Sequence, residues 1–344
     1  MPDLGAQGGD TRGLSDAVLD LSTCVNPYGP PPSVMEMLRT ISPRVVRSHP
    51  YGADRRVEET YASTTSQPTH TFTAGQGTSE FIWHLSRVLQ DDVVCLPLPA
   101  YTEYLHAFPN ARRISSGAST HQIETLDDAM TVGRAVIISN PHNPTGQILS
   151  RDNLIGVASG HPTSTLVVDE SYIDFLANPN DVTLIGAELE NIVVLRSPSK
   201  FYGLAGLRSG VLWSLSGIHT VIRKSRMNWP VSAIAADALA CAVNDEDWAF
   251  QTRIQLDENT RWLVQELQRN GFSPVEGNMH FRLLTGSQRL ITTLIDITEQ
   301  YNVRIRELLP AHGVGAPAVR VSSPIHTERG ILSRALTALY EESA

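Results

Sequence analysis

Any chemistry that needs a primary amine has two candidates in this sequence, Lys200 and Lys224; the other basic residues are arginines. Lys224 sits in the basic run IRKSR, which reads as a solvated helix face. Lys200 closes the run Ser197-Pro198-Ser199-Lys200, directly after an apolar stretch, and Arg208 follows eight residues later across a glycine-rich loop. An amine beside hydroxyls and a guanidinium can attack a carbonyl while its neighbours hold an anion. Three more polar clusters also end apolar stretches. Gly75-Gln76-Gly77-Thr78-Ser79-Glu80 lies between a strand-like and a helical segment, so its N–H groups and the helix N-terminus are available to a phosphate. In Asn140-Pro141-His142-Asn143-Pro144-Thr145-Gly146, two X-Pro units stiffen the loop and project Asn143. Asp169-Glu170 put carboxylates at the end of STLVVDES.

Taken singly, each cluster has an ordinary reading. The glycines can serve a positive φ, Asn143 an Asx turn, Asp169 a helix cap and Arg208 a structural ion pair. Taken together and in this order, they meet the demands of one cofactor, pyridoxal 5′-phosphate. Its aldehyde needs a lysine amine, its ring nitrogen a carboxylate that keeps it protonated, and its phosphate N–H groups, hydroxyls and a cation. An aromatic must also stack on its ring face.

The elements that would position these residues follow from periodicity. Segments 69–75, 92–99, 134–141, 164–171 and 191–199 read as apolar strands, and 79–89 and 150–159 as amphipathic helices, the latter with a Ser cap. This alternation predicts an α/β fold, a mostly parallel sheet flanked by helices, with ligands beyond the carboxyl ends of the strands. Past residue 230 the rhythm changes. Helices over 231–243 and 246–270, then 271–286 and a strand at 318–324, predict a smaller α+β domain. The expected organisation is an N-terminal arm over 1–22, a large domain over 45–230, and a small domain formed by 23–44 and 231–344.

Composition sets the outer limits. The 344 residues are 41% hydrophobic and 18% charged with a net charge of −9, which fits a folded chain with ample core and argues against nucleic-acid binding. No apolar run is long enough to span a bilayer, and the N-terminus lacks a signal-peptide pattern. Cys24, Cys95 and Cys241 show no CxxC spacing, so no disulfide framework or metal site is expected and a cytoplasmic location is the default.

The chain resembles the fold type I pyridoxal-phosphate enzymes, the aspartate aminotransferase superfamily of classes I and II. It looks nearest to the branch of histidinol-phosphate aminotransferases and threonine-phosphate decarboxylases. The segments that carry the likeness are NPYGPP (26–31), GQGTSE (75–80), PAYTEY (99–104), SNPHNPTG (139–146), VVDESYIDF (167–175), LRSPSKFYGLAGLRSG (195–210) and VRVSSP (319–324). The resemblance implies that Lys200 is the imine-forming lysine and proton shuttle, and that Asp169 pairs the ring nitrogen. It implies that Asn143 and Tyr172 hydrogen-bond the ring oxygen, that Tyr101 stacks on the ring, and that Gly77, Thr78, Ser197, Ser199 and Arg208 hold the phosphate. It places Arg320 on the substrate α-carboxylate and Arg306, or else Arg304, as a second substrate arginine, with Asn26 also near the substrate. A homodimer with shared active sites is implied as well.

Two departures matter. The branch has a tyrosine in an R-Y-P context that reaches the neighbouring subunit's cofactor phosphate. Here the run is Ser48-His49-Pro50-Tyr51-Gly52, so His49 or Tyr51 stands in its place. The segment before NPYG, LDLSTCV, lacks the arginine used for phosphorylated substrates. The expected activity is that of an aminotransferase acting on an α-amino acid through an imine and loss of the Cα proton. The rivals are a lyase or cyclase of specialised metabolism acting on a hydroxylated arginine (capreomycidine-type chemistry), with Glu103 or Asp174 receiving the guanidinium, and a phosphoamino-acid decarboxylase.

Overall fold

The computed structural model describes residues 8–12, 18–115 and 122–343. The strands in chain order are β1 (Leu19–Asp20), β2 (Phe72–Gly75), β3 (Val94–Leu98), β4 (Arg112–Ser115), β5 (Ala135–Ser139), β6 (Thr165–Asp169), β7 (Ile192–Arg196), β8 (Gly210–Ser214), β9 (Phe281–Thr285), β10 (Val303–Arg304), β11 (Arg306–Leu308) and β12 (Ala318–Ser322). The helices are α1 (Pro32–Arg39), α2 (Pro43–Arg47), α3 (Ala53–Thr65), α4 (Thr78–Val88), α5 (Thr102–Ala107), α6 (Ile123–Val132), α7 (Arg151–Gly160), α8 (Ile218–Ser225), α9 (Ala233–Val243), α10 (Glu246–Arg269), α11 (Gln288–Gln300) and α12 (Arg329–Ser343).

Seven strands form one sheet in the order β2-β8-β7-β6-β5-β3-β4. The pairs from β4 through β7 are parallel; β8 runs antiparallel to both β7 and β2. The fold is the predicted α/β class, with the sheet mixed at one edge. The unbroken apolar runs of β5 and β7 are explained by burial on both faces, for both strands are buried throughout. Successive side chains then choose opposite cores. Val136 and Ile138 join α3, α6, α7 and α9 on one face, whereas Ala135 and Ile137 join α4, α5 and α8 on the other. The Ser150 hydroxyl accepts from Asn153 N–H at 3.2 Å, so α7 starts where its predicted cap lies.

A three-stranded antiparallel sheet, β11-β12-β9, lies beyond, and β1 pairs in parallel with β10. Its core gathers Leu263, Leu284, Ile291, Val319 and Leu336 together with Leu19 and Leu21. Residues 19–22 are therefore built into this core rather than forming free arm. The stretches 1–7 and 13–17 of the expected arm lie outside the described residues. Just past residue 230 the packing still follows the large sheet. Val231, Ala235, Ala236 and Leu239 are buried in the core of the large sheet, because the small residues of α9 let it lie flat against α3. Val34 of α1 packs with Phe201 and Ala238, again beside the large sheet. The crossover between cores falls along α10, where Ala249 and Leu256 face one cluster and Leu263 and Leu267 the other.

Candidate active site

The carboxyl ends of β5, β6 and β7 and the start of α4 converge on one cavity. Gly77 caps α4 with φ +85°, and a Cβ there would stand 2.8 Å from Arg208 Nη2. Arg208 itself has φ +53° and donates to the carbonyls of Gln76 and Ala205, each at 3.1 Å. The Ser197 hydroxyl donates to Ser209 O at 2.8 Å and lies 2.7 Å from the Ser199 hydroxyl. Thr78 begins the helix, and its hydroxyl is 3.3 Å from that of Ser171. Gly77, Thr78, Ser197, Ser199 and Arg208 thus make a cup of N–H groups, hydroxyls and one cation, shaped for an anion.

Behind the cup, Asp169 ends β6 and is buried. Its Oδ1 accepts from Ser171 N–H at 3.0 Å and the Ser171 hydroxyl at 2.5 Å, and its Oδ2 accepts from the Tyr104 hydroxyl at 3.1 Å. Burial raises the Asp169 carboxyl above its ordinary range, and these donors work in the opposite direction. Lys200 lines the cavity, and desolvation pulls its amine below the usual lysine value. Tyr101 stands edge-on to Tyr104 with ring centres 5.5 Å apart, and burial pushes its hydroxyl up to about 12. Tyr172 is buried against Phe281, edge-on at 5.6 Å, and burial raises its hydroxyl well above the usual value.

The loop after β5 is pinned on both sides. The Asn140 amide donates to Leu149 O at 3.0 Å and accepts from Leu149 N–H at 2.9 Å. His142 bridges Pro99 O and the Thr145 hydroxyl at 3.0 and 2.8 Å, and burial pulls its imidazole down to about 4. Asn143 N–H donates to the Ser139 hydroxyl at 3.0 Å, which leaves the Asn143 side chain facing the cavity.

A second lobe shares Tyr101, Asn143, Tyr172 and Lys200 with the first and continues to Cys24, Thr102, Arg306, His312 and Arg320. Arg306 and Arg320 face each other in the register of β11 and β12, and both are buried. Arg320 donates to Asn143 Oδ1 at 2.6 Å and Ser22 O at 2.8 Å; Arg306 donates to the Thr102 hydroxyl at 3.3 Å. Among the described residues neither guanidinium pairs with a carboxylate. Burial first, then the Arg320 charge, pull Arg306 down to about 10.

Other candidates from the sequence lie elsewhere. Asn26 spends its amide on Phe201 O at 2.8 Å, and its N–H donates to Lys200 O at 2.9 Å, so it steadies the lysine loop and lines neither lobe. His49 and Tyr51 are exposed around Trp229, with His49 stacked on the indole at 4.1 Å, and neither lines the cavity of its own chain. Arg304 is ion-paired with Glu299, which leaves Arg306 as the second arginine of the cavity. Asp174 is held in a buried pair with Arg196 at 2.5 Å, Glu103 accepts from the Trp83 indole at 3.2 Å, and neither lines either lobe. Sequence reasoning missed Tyr104, Ser171, Thr102 and His312. Tyr104 was within reach, one helical turn after Tyr101 in PAYTEY.

Residues 16–337 match the family described as Aminotransferase class I and II. The chain belongs to that family. The aminotransferase is 29% identical over 279 residues to histidinol-phosphate aminotransferase 1 of Psychrobacter arcticus, covering 78% of this chain and 73% of that one. Among solved structures it is similar to the histidinol-phosphate aminotransferase of Sinorhizobium meliloti in complex with pyridoxal-5′-phosphate, with a TM-score of 0.85 and 19% identity over 94% of this chain and 90% of that one. It is similar as well to the L-threonine-O-3-phosphate decarboxylase of Porphyromonas gingivalis, with a TM-score of 0.82 and 21% identity over 94% of this chain and all of that one. The last two likenesses establish the fold that the aminotransferase shares with both. Among the described residues no helix is long and apolar enough to cross a membrane.

Proposed function

We propose that this aminotransferase holds pyridoxal 5′-phosphate in the first lobe and, in the second, an amino donor that carries an anionic group. The first lobe fits the cofactor. The Gly77 cradle, which a Cβ would fill, together with Thr78, Ser197, Ser199 and Arg208, would hold the phosphate. Asp169 would face the ring nitrogen, Asn143 and Tyr172 the ring oxygen, and Tyr101 the ring face. When bound, the cofactor supplies an electron sink for negative charge at the donor's Cα. The chain's own residues do the rest. Lys200, with its amine lowered by burial, would be the group that holds the cofactor's aldehyde and that moves the proton at Cα. Asp169 would keep a proton on the ring nitrogen. Arg320, fixed by Asn143 and Ser22, grips a carboxylate and so orients the Cα bond that breaks.

The observation that carries the substrate reading is the facing pair Arg306 and Arg320, two buried cations whose hydrogen-bond partners among the described residues are all neutral oxygens. The relatives that the chain resembles in sequence are histidinol-phosphate aminotransferases, whose name specifies a phosphorylated substrate, and this agrees with an anionic donor. We further propose a homodimer in the cytoplasm. The exposed cluster of His49, Tyr51 and Trp229, with exposed Val46 and Met227 nearby in sequence, supports a second copy docking there. Its three cysteines are free thiols, which suits a reducing compartment.

The test follows the visible spectrum of purified holoenzyme on adding L-glutamate, L-aspartate, L-histidinol phosphate and hydroxyarginine one at a time. Stable loss of the yellow form with an anionic donor, plus release of the matching carbonyl product, is expected. Consumption of the donor without that product would overturn transamination, and response to uncharged donors alone would overturn the anionic reading.

A further inference from the structure

The Arg306 end of the substrate lobe contains a hydrogen-bond chain whose direction can be worked out atom by atom. The guanidinium can only donate, so the Thr102 hydroxyl oxygen, 3.3 Å from Arg306 Nη2, is the acceptor. On the other side the Thr102 hydroxyl is 3.1 Å from His312 Nε2. The second ring nitrogen, Nδ1, is 3.0 Å from the Leu309 carbonyl oxygen, which can only accept. Nδ1 therefore carries the proton. A neutral ring then leaves Nε2 bare, and Nε2 accepts the Thr102 proton. Burial and the charges of Arg306 and Arg320 pull His312 down to about 4, so the neutral ring holds at neutral pH. The chain reads Arg306 N–H to Thr102 O, Thr102 O–H to His312 Nε2, and His312 Nδ1–H to Leu309 O. With its proton committed to His312, the Thr102 oxygen turns its lone pairs to Arg306.

The backbone holds this relay in place. Ala100 N–H donates to His312 O at 3.0 Å, and His312 N–H donates to Leu309 O at 2.9 Å. Thr102 follows Tyr101 directly at the start of α5, while Arg306 and His312 belong to the segment around β11. The relay thus ties the wall that carries the aromatic ring to the wall that carries the arginine.

We propose that His312 is a positioning residue that, through the Thr102 hydroxyl, aims the Arg306 guanidinium and thereby sets how strongly the site prefers a donor with an anionic side chain. This rests on the reading of Arg306 as a substrate residue. Without the relay the arginine remains in the cavity but loses the one side-chain acceptor recorded for it among the described residues.

The experiment titrates holoenzyme spectrally with two charged–neutral pairs, the near-isosteric L-glutamate and L-glutamine, and O-phospho-L-serine against L-serine, and reports each affinity ratio. In His312→Phe and Thr102→Val the preference for the charged member should fall about tenfold, with the rate at saturation changing less. The double variant should lose no more than either single one, because both break the same chain. His312→Gln, which can return an acceptor to Thr102, and Thr102→Ser should restore most of the preference. Equal weakening of charged and neutral members in His312→Phe would make His312 a packing residue and overturn the proposal. Arg306→Gln separates the two levels. If it abolishes the preference while His312→Phe and Thr102→Val leave it intact, only the relay fails. If wild type shows no preference, or Arg306→Gln leaves it unchanged, the substrate reading fails and the relay proposal with it.

Discussion

The two lobes of the cavity are finished to different degrees. In the lobe at the ends of β5, β6 and β7, both Asp169 oxygens have donors, Ser197 is bonded to backbone, and Arg208 spans two carbonyls. In the lobe against β11 and β12, two buried guanidiniums share three neutral oxygens, and among the described residues Arg320 Nε has no partner. A polar site whose groups already hold one another keeps its shape before the ligand arrives, and this preorganisation is what makes such groups effective. A buried cation without a counter-charge is costly until a ligand supplies one. On the proposed function, the first lobe would hold a constant group, and the second would take an anion from each substrate.

The largest effect should come from the one amine common to both lobes. Lys200→Ala is expected to lower turnover by about four orders of magnitude or more, measured as steady-state rate against enzyme concentration. Turnover above one hundredth of wild type would mean that the lobes are separate cavities rather than one site. Within the finished lobe the contrast is between charge and hydrogen bonding. Asp169→Asn keeps the shape and one acceptor but removes the charge, and should cost about a thousandfold in rate. Tyr104→Phe removes one of three donors and should cost about tenfold or less. Equal losses would make Asp169 a structural cap.

This contrast also explains what the sequence disclosed. β5, β6 and β7 were legible because double-sided burial demands runs such as AVIIS and IVVLR, and the residues that follow them fall at the sheet's ligand edge. The antiparallel turn of β8 was not legible, since GVLWS is just as buried and strand direction leaves no mark on composition. The change of core within α10 was hidden because α9 is alanine-rich and apolar on nearly every side, and so names no partner. In the first lobe the residues come in short local motifs. In the second, Thr102, Arg306, His312 and Arg320 come from α5, two strands of another sheet and the turn between them, and only the fold brings them together. The resemblance pointed to Arg306 and Arg320. Nothing in the run PAHGVG announces that His312 faces Thr102.

The loop that separates the lobes should respond to pH. His142 has its imidazole pulled from 6.5 down to about 4 by burial. Between these values the unfolded chain takes up a proton that the folded chain refuses, so stability present above pH 6.5 is lost as pH falls toward 4. The full span corresponds to roughly 3 kcal/mol for this one ring. Buried His280 and His312, pulled to about 3 and about 4, act with the same sign. Glu170, raised to about 7 by burial, works the other way, and the several histidines outweigh it. Urea midpoints at pH 7.5 and pH 5 should therefore differ, with the acid value lower. His142→Asn should shrink the difference while lowering both midpoints. An unchanged difference would assign the acid sensitivity to His219, His280 and His312, all of which burial also lowers.

One further effect sharpens the first lobe alone. Gly77→Ala places a methyl group 2.8 Å from Arg208 Nη2 at a residue with φ +85°. A flexible side chain could ordinarily step aside from such a contact. Here the guanidinium that must move is one wall of the anion cup, so relief of the clash and loss of the cup are the same motion. Cofactor affinity, read by equilibrium dialysis, should drop about thirtyfold. The control is Gly206→Ala, two residues from Arg208, where a Cβ meets nothing within 4 Å and affinity should hold within about twofold. A loss at Gly206 as large as at Gly77 would locate the sensitivity in loop stiffness and not in the cup. A loss at Gly77 that spares affinity but weakens substrate binding would join Arg208 to the second lobe and dissolve the division between them.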